Sequence, residues 1–389
     1  MLVEETKVTG ITAYNQEVHM NSILYIGIDV HKESYTIGSY RTCDDEVKYV
    51  QKIKADYKMV LKYLEQLRRH YGEDTEFMCG YEAGPLGYRL YHELNNCGVT
   101  CVIMAPHTLG VTNNNRVKTD KNDARNIARS LAFRLYSKIH VPTAEDEEIK
   151  EYIRMRDDMN NNLKKTKQQI LAFVLRQGYR YAGKSYWTIA HVKWLKSLEF
   201  DGFVQETMSE YLITFDYLVS KLERLTERLE EIAASDRYAE NVNKLKCLIG
   251  VKTYTALSVI VETGDFRRFA KPDHYASFLG LVPSEDSSGE NQKQGAITKA
   301  GNRVIRRLLI ESSQSYARGA IGHKSKELTR RQMGNSPEVI AYADKANERL
   351  RRKYYRLILQ NNKVRNKAVT AVARELACFM WGLMTDNIA

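Results

Sequence analysis

The chain has 389 residues, 43% hydrophobic and 28% charged, with a formal net charge of +11. Such a length exceeds one ordinary hydrophobic core and predicts roughly two or three domains, and the composition is that of a rather polar globular protein, not a disordered one. No apolar run reaches membrane-spanning length and the N-terminus carries no signal-peptide apolar core, so no membrane association is expected.

Residues 1–22 are polar and irregular and are expected to form a poorly ordered extension. ILYIGIDV (23–30) reads as a buried, β-branched strand ending in an acid, with YTIGSY (35–40) and VKYVQKI (47–53) at hairpin spacing behind it. Met59, Leu61, Leu64 and Leu67 give 57–70 helical periodicity. EFMCGYEA (76–83) is a further strand, followed by a helix near 86–96, the strand VTCVIM (99–104) and a helix over 121–135. This order predicts a mixed sheet with helices on its faces for a domain spanning 23–144.

Residues 145–240 read as almost wholly helical. Leu218, Leu222, Leu225, Leu229 and Ile232 alternate spacings of four and three, the seam of a coiled coil, and Leu163, Ile170 and Val174 upstream fit the same period. Two antiparallel helices, a dimerising arm or an ordinary bundle would each bury these stripes. The remainder, 241–389, reads as a mainly helical domain: short helices around a turn at Gly250, a Gly/Ser/Asn-rich stretch at 280–302 that reads as loop, and basic helices over 303–320 and 338–380.

Charge is placed unevenly. Residues 301–389 hold 18 of the 59 Lys and Arg but 7 of the 48 Asp and Glu, which leaves 41 of each sign elsewhere. The positive excess therefore belongs to the C-terminal region and points to a polyanion, since Lys and Arg displace counterions from phosphate. The six cysteines include no Cys-x-x-Cys pair and complete no zinc pattern, so reduced thiols and a cytosolic setting are expected.

The acids carry the chemistry. Asp29 ends the first strand and Glu82 the fourth, at the sheet edge where ligands bind. In KTDKNDARNIA, Asp120 reads as a helix N-cap with Asp123 in the first turn, ordinary capping positions when taken singly. Together, carboxylates converging on one edge repel unless hard divalent cations relieve them. Two such ions about 4 Å apart can flank a scissile phosphate. A sugar-kinase or actin-like ATPase also opens with a strand ending in Gly-x-Asp, but Asp29-Val30-His31-Lys32 offers no small-residue loop for phosphates. His31 reads as an exposed residue after a strand, without an assigned role.

GIDVHKES around Asp29, GYEAGPLG around Glu82 and KTDKNDA with Asp120 and Asp123 resemble the D-E-D-D set of insertion-sequence transposases of the one-hundred-and-ten type. FLGLVPSEDSSGENQKQGAITKAGNRVIRRLL (278–309) is similar to that family's second domain, so the resemblance runs from about residue 23 to about 380. It implies an RNase-H/RuvC-like catalytic domain, a helical coiled-coil arm and a serine-bearing C-terminal domain. It implies Mg2+ held by Asp29, Glu82, Asp120 and Asp123. Ser288, directly before Gly289, best matches the family's serine, with Ser287 adjacent and Ser284 close; that serine attacks a DNA phosphate and forms a phosphoserine link. The implied partners are target and donor DNA, a structured non-coding bridge RNA that pairs with both, and further copies of the chain in a dimer or tetramer whose composite active site joins acids and serine from different subunits. One departure is Leu-Ile-Gly250-Val-Lys252, where Lys252 replaces the second glycine of a helix-hairpin-helix-like turn and adds charge near any DNA.

Arg303, Arg306 and Arg307 fall at helical spacing after the serine, with Lys299 and Asn302 nearby as donors to a DNA backbone. Arg349, Arg351, Arg352, Lys353 and Arg356 interleave with Tyr354 and Tyr355, a mixture that suits RNA or unpaired strands, where rings stack on bases, or else a solvated helix face with its tyrosines in the core. The expected function is an RNA-guided DNA transposase or recombinase. The alternatives are a DNA-only recombinase or junction-cutting nuclease using the same carboxylates, and a non-catalytic binder on a decayed scaffold, against which the presence of all four acids argues.

Overall fold

The structure, a computed structural model, describes residues 23–44, 46–106, 119–288, 291–360 and 364–388; the expected N-terminal extension lies outside them. The chain divides into two compact units, residues 1–141 and 142–389.

The first unit is a five-stranded mixed sheet in the order β3-β2-β1-β4-β5. β1 (Ile23–Val30), β2 (Ser34–Tyr40) and β3 (Val47–Lys54) form an antiparallel meander, while β4 (Glu76–Glu82) and β5 (Thr100–Met104) join β1 in parallel. Helices α1 (Tyr57–Tyr71), α2 (Arg89–Asn96) and α3 (Asp120–Ala132) supply the crossovers and covers, in the expected order. Side chains alternate across a strand, so each face of the sheet has its own core. Leu24, Ile26, Ile28, Cys79, Tyr81 and Ile103 pack against Val60, Leu64 and Leu67 of α1 and Leu90 and Leu94 of α2. Tyr25, Val102 and Met104 face the other way, onto Ile127, Ala128 and Leu131 of α3.

Gly27 lies on this second face, between Tyr25 and Asp29. A Cβ there would stand 2.0 Å from the carbonyl oxygen of Ala124 and 2.5 Å from the amide nitrogen of Ala128. Helix backbone therefore rests directly on strand backbone, a separation that only glycine permits.

In the second unit α4 (Ala144–Arg176) and α6 (Gly202–Ala233) pack side by side. Arg156 reaches Thr226 at 3.5 Å, and the Phe173 and Tyr211 rings lie 5.7 Å apart, so the two helices run antiparallel. The short α5 (Ile189–Lys196) adds Leu195 to their core of Leu163, Ile170, Phe173, Val174, Leu218 and Leu222. The heptad seam serves two cores: Leu218 and Leu222 belong to this hairpin, but Leu229 packs into the C-terminal core.

That core surrounds α8 (Thr253–Thr263), buried on nearly every side, and α13 (Arg365–Met384). α7 (Ala239–Lys246) precedes α8 in the chain, and α9 (Pro272–Phe278), α10 (Arg303–Ser313), α11 (Lys326–Gln332) and α12 (Pro337–Tyr355) follow it before α13, the last of these continued by a π-helical turn, Arg356–Gln360. The turn before α8 forms as expected at Gly250, with φ 80°. The stretch 280–302, expected as loop, instead contains an antiparallel hairpin of β6 (Pro283–Ser288) and β7 (Asn291–Ile297). Its strands are Ser, Gln, Asn, Asp and Gly-rich, so no apolar alternation announced them; the backbone ladder carries the structure.

Gly27→Ala should force α3 off the sheet. The expected loss is about 3 kcal/mol of unfolding free energy, read as a lowered urea midpoint; an unchanged midpoint would contradict the backbone contact.

Candidate active site

Four acids approach one edge of the first unit. Asp29 and Glu82 are reached by counting up the parallel pair β1–β4, whose last matched residues are Ile28 and Tyr81; each acid stands one residue beyond. By the alternation that puts Tyr25 and Met78 against α3, both acids project to the α3 face. The close seating of α3 at Gly27 then sets its first turn, with Asp120 and Asp123, beside the strand ends.

The N-cap of α3 is Thr119, not Asp120 as expected: its extended backbone begins the helix, and its Oγ1 accepts from the Asn122 amide at 3.3 Å. With Thr119 as the cap, the Asp120 carboxylate is not used in capping. Its Oδ1 lies 3.7 Å from His31 Nε2, which is itself 3.1 Å from Asp29 Oδ2. One ligand atom from each of Asp29, His31 and Asp120 falls within 4.8 Å of the others. Burial pushes the Asp29 carboxyl above its ordinary range; His31 opposes this, while the charges of Asp123 and Asp120 raise it further. Asp29, Asp120 and Asp123 are thus brought into electrostatic contact, and Glu82 stands level with Asp29 at the end of the adjoining strand.

Two members of the cluster were missed in the sequence. His31 stood two residues after Asp29, but nothing indicated that it would turn back toward the acid. Lys52 Nζ lies 3.9 Å from Asp120 Oδ2. Asp29 pairs with Thr36 and Thr36 with Lys52, so one row across three strands brings it there, a register invisible before the sheet order is known.

The donor set suits a divalent cation: several carboxylate oxygens and one imidazole nitrogen, with a partly desolvated acid whose charge lacks full compensation. A cation bound there would offset the repulsion that His31 and Lys52 only moderate.

Residues 26–179 match a DEDD transposase family of the IS110 group, and residues 242–327 match the family described as Transposase IS116/IS110/IS902. The transposase for insertion sequence element IS1533 of Leptospira borgpetersenii is 31% identical over 349 residues, 89% of this chain and 99% of its own length. The predicted transposase y4qE of Sinorhizobium fredii is 32% identical over 363 residues, 93% of this chain and 88% of its own. The chain belongs to the IS116/IS110/IS902 family of insertion-sequence transposases.

In this transposase Ser288 is the last residue of β6, paired through the backbone with Asn291. Lys252, Lys299 and Arg303 are exposed. Lys252 stands at the N-cap position of α8. Asn302 is engaged twice, capping α10 through the Ile305 amide and donating to Glu262 at 2.8 Å. Arg306 donates to the Leu279 carbonyl and Arg307 to Asp157, both internal links. Arg352 is exposed and paired with Glu348. Arg351 corrects the surface role expected of it: it is 6% exposed and donates to the carbonyls of Ala320 and His323. Tyr354 is likewise in the core. No helix among the described residues is long and apolar enough to cross a membrane.

With chelator present, Asp29→Asn should raise the thermal midpoint by about 3 °C, because it removes a charge that folding disfavours. Adding millimolar Mg2+ should raise the midpoint of the unaltered protein and leave that of the variant in place. Equal responses would separate Asp29 from any cation.

Proposed function

We propose that this transposase cleaves and joins DNA strands with an RNase-H/RuvC-like carboxylate centre of Asp29, Glu82, Asp120 and Asp123, with Mg2+ as its ion and Ser288 as nucleophile. The observation that carries the reading is the meeting of Asp29 and Asp120 around His31, with Asp123 acting on the same carboxyl. Oxygen donors of this kind favour hard cations over softer metals.

The four carboxylates hold and orient, and they leave the reacting phosphate to approach from solvent at the strand ends. Bound divalent cations supply a Lewis acid at the phosphate and offset charge developing on its oxygens. The Ser288 hydroxyl attacks phosphorus; a seryl–phosphate bond forms, the bond to the leaving sugar oxygen breaks, and the serine proton ends on that oxygen through solvent. A free serine hydroxyl is a weak nucleophile, and no histidine lies near it in sequence to act as base. The serine comes from another copy of the chain in a dimer or tetramer.

Target and donor DNA are the substrates, and a structured guide RNA supplies sequence recognition by pairing. A protein relieved of reading bases needs backbone contacts above all, and the exposed cations Lys252, Lys299, Arg303 and Arg352 are suited to making them. The domains proposed are 23–144 for the carboxylate centre, 145–240 for the helical arm and 241–389 for the serine domain.

Asp29→Ala should reduce strand cleavage at least about 100-fold while nucleic-acid affinity is kept; normal recombination would remove Asp29 from the centre. Ser288→Ala should abolish the protein–DNA adduct seen on denaturing gels, and loss only in Ser287→Ala would move the nucleophile by one residue. Nucleic acid co-purifying with the protein should be degraded by ribonuclease; material degraded only by deoxyribonuclease would favour a DNA-only recombinase.

A further inference from the structure

α12 and the π-helical turn after it present basic side chains in one row. Arg349, Arg352, Lys353 and Arg356 recur at three- and four-residue intervals, and all four line one open cavity of about 780 Å³. Its remaining walls are Tyr355, Leu359, Ile321 and Glu375. Among the described residues Glu375 is the one acid lining it. That carboxylate accepts from Arg349 and, at 2.6 Å, from Lys353, and the two cations hold it below its ordinary range against the opposing effect of burial. Among the described residues no carboxylate pairs with Arg356, which is exposed.

The apolar part of the wall is equally unusual. Leu359 is 75% and Ile321 45% exposed. In the π turn Leu357 and Ile358 pack on the core, while Arg356 and Leu359 face outward as a cationic and aliphatic pair. π turns are rare and concentrate at functional positions.

The cavity is also held open by design of the backbone contacts. Buried Arg351 grips the carbonyls of Ala320 and His323, and the Tyr355 hydroxyl donates to the Gly319 carbonyl at 3.1 Å. Three hydrogen bonds therefore fix the 319–323 segment that carries Ile321, so this wall stands before any ligand arrives. The buried arginine is a positioning residue for the cavity.

We infer that this cavity binds an unpaired nucleotide of a nucleic-acid strand, its phosphate on Arg352 and Arg356 and its base against Tyr355, Leu359 and Ile321. A cationic rim beside an exposed apolar and aromatic floor matches a nucleotide whose base is free to turn away from a duplex. A duplex, with its bases stacked inside, would leave Leu359 and Ile321 in water. The inference rests on the chain's acting on nucleic acid and is independent of the carboxylate centre in the other unit.

The test is fluorescence anisotropy of the full chain with labelled oligouridylate and oligothymidylate of about twelve nucleotides. Arg356→Glu should weaken binding about tenfold and lower the salt dependence by about one ion. Leu359→Ala should weaken it about threefold with the salt dependence kept. Both side chains are exposed, so the thermal midpoint should hold. A larger loss with oligouridylate identifies RNA as the source of the nucleotide, and a larger loss with oligothymidylate identifies a DNA strand. Equal affinity of the variants and the unaltered protein for both oligonucleotides, or no binding by the unaltered protein, overturns the inference. Asp29-dependent cleavage is measured alongside: cleavage retained with affinity unchanged discards the cavity alone, and cleavage unaffected by Asp29→Ala discards the carboxylate centre alone.

Discussion

The seating of α3 on β1 governs the first unit. With no side chain at Gly27, the carbonyl of Ala124 and the amide of Ala128 come against the strand itself, and the first turn of the helix arrives level with the strand ends. Carboxylates supplied by chain segments some ninety residues apart then share one small volume. Burial raises the Asp29 carboxyl first, and charge repulsion from Asp123 and Asp120 raises it further. Tight packing below the site makes that repulsion tolerable, because the helix cannot retreat without losing Ile127, Ala128 and Leu131 from the core. The same contact that stabilises the fold therefore maintains an electrostatically unfavourable edge, a common property of centres built to receive a cation.

The second unit handles charge differently. Its basic excess suggested a broad surface for phosphate, yet several of the guanidinium groups hold the protein together. Arg306 ties α10 to the Leu279 carbonyl, Arg307 meets Asp157 of α4, Arg331 reaches the Val251 carbonyl and Arg351 clasps the 320–323 segment. Arginine suits such work, since its planar fork serves two carbonyls at once. Net charge consequently overstates the surface available to a polyanion, and the informative cations are those left exposed beside an apolar or aromatic neighbour.

Much of this was legible in the sequence, for identifiable reasons. The five strands and three helices of the first unit were announced by β-branched runs and by helical periodicity through Leu61, Leu64 and Leu67. The acids were legible because Asp29 and Glu82 end strands, and a strand end in a mixed sheet is a place where ligands gather. Thr119 escaped notice as a cap because Asp120 beside it is an equally good cap by residue type. Lys52 could not be found, since its position depends on a register crossing three strands. Arg351 was misread because one-dimensional spacing cannot tell the buried face of a basic helix from its exposed one. The β6–β7 hairpin was hidden by its polar composition.

That hairpin is unequal along its length. Its base is tied to the body: the Thr298 amide donates to Val282, the Lys299 amide to Gly280, and Ile297 packs on the C-terminal core. Toward Ser288 the sequence offers only polar residues, Asp286, Ser287, Ser288, Asn291 and Gln292, and a two-stranded ladder without an apolar face is marginal by itself. A serine placed there is carried by a firmly rooted stem, while the local conformation around it depends on the ladder and on whatever it meets. The hydroxyl proposed as nucleophile would have to align with a phosphodiester that another molecule supplies, and a polar ladder on a rooted stem suits that proposal better than a serine fixed in a packed core.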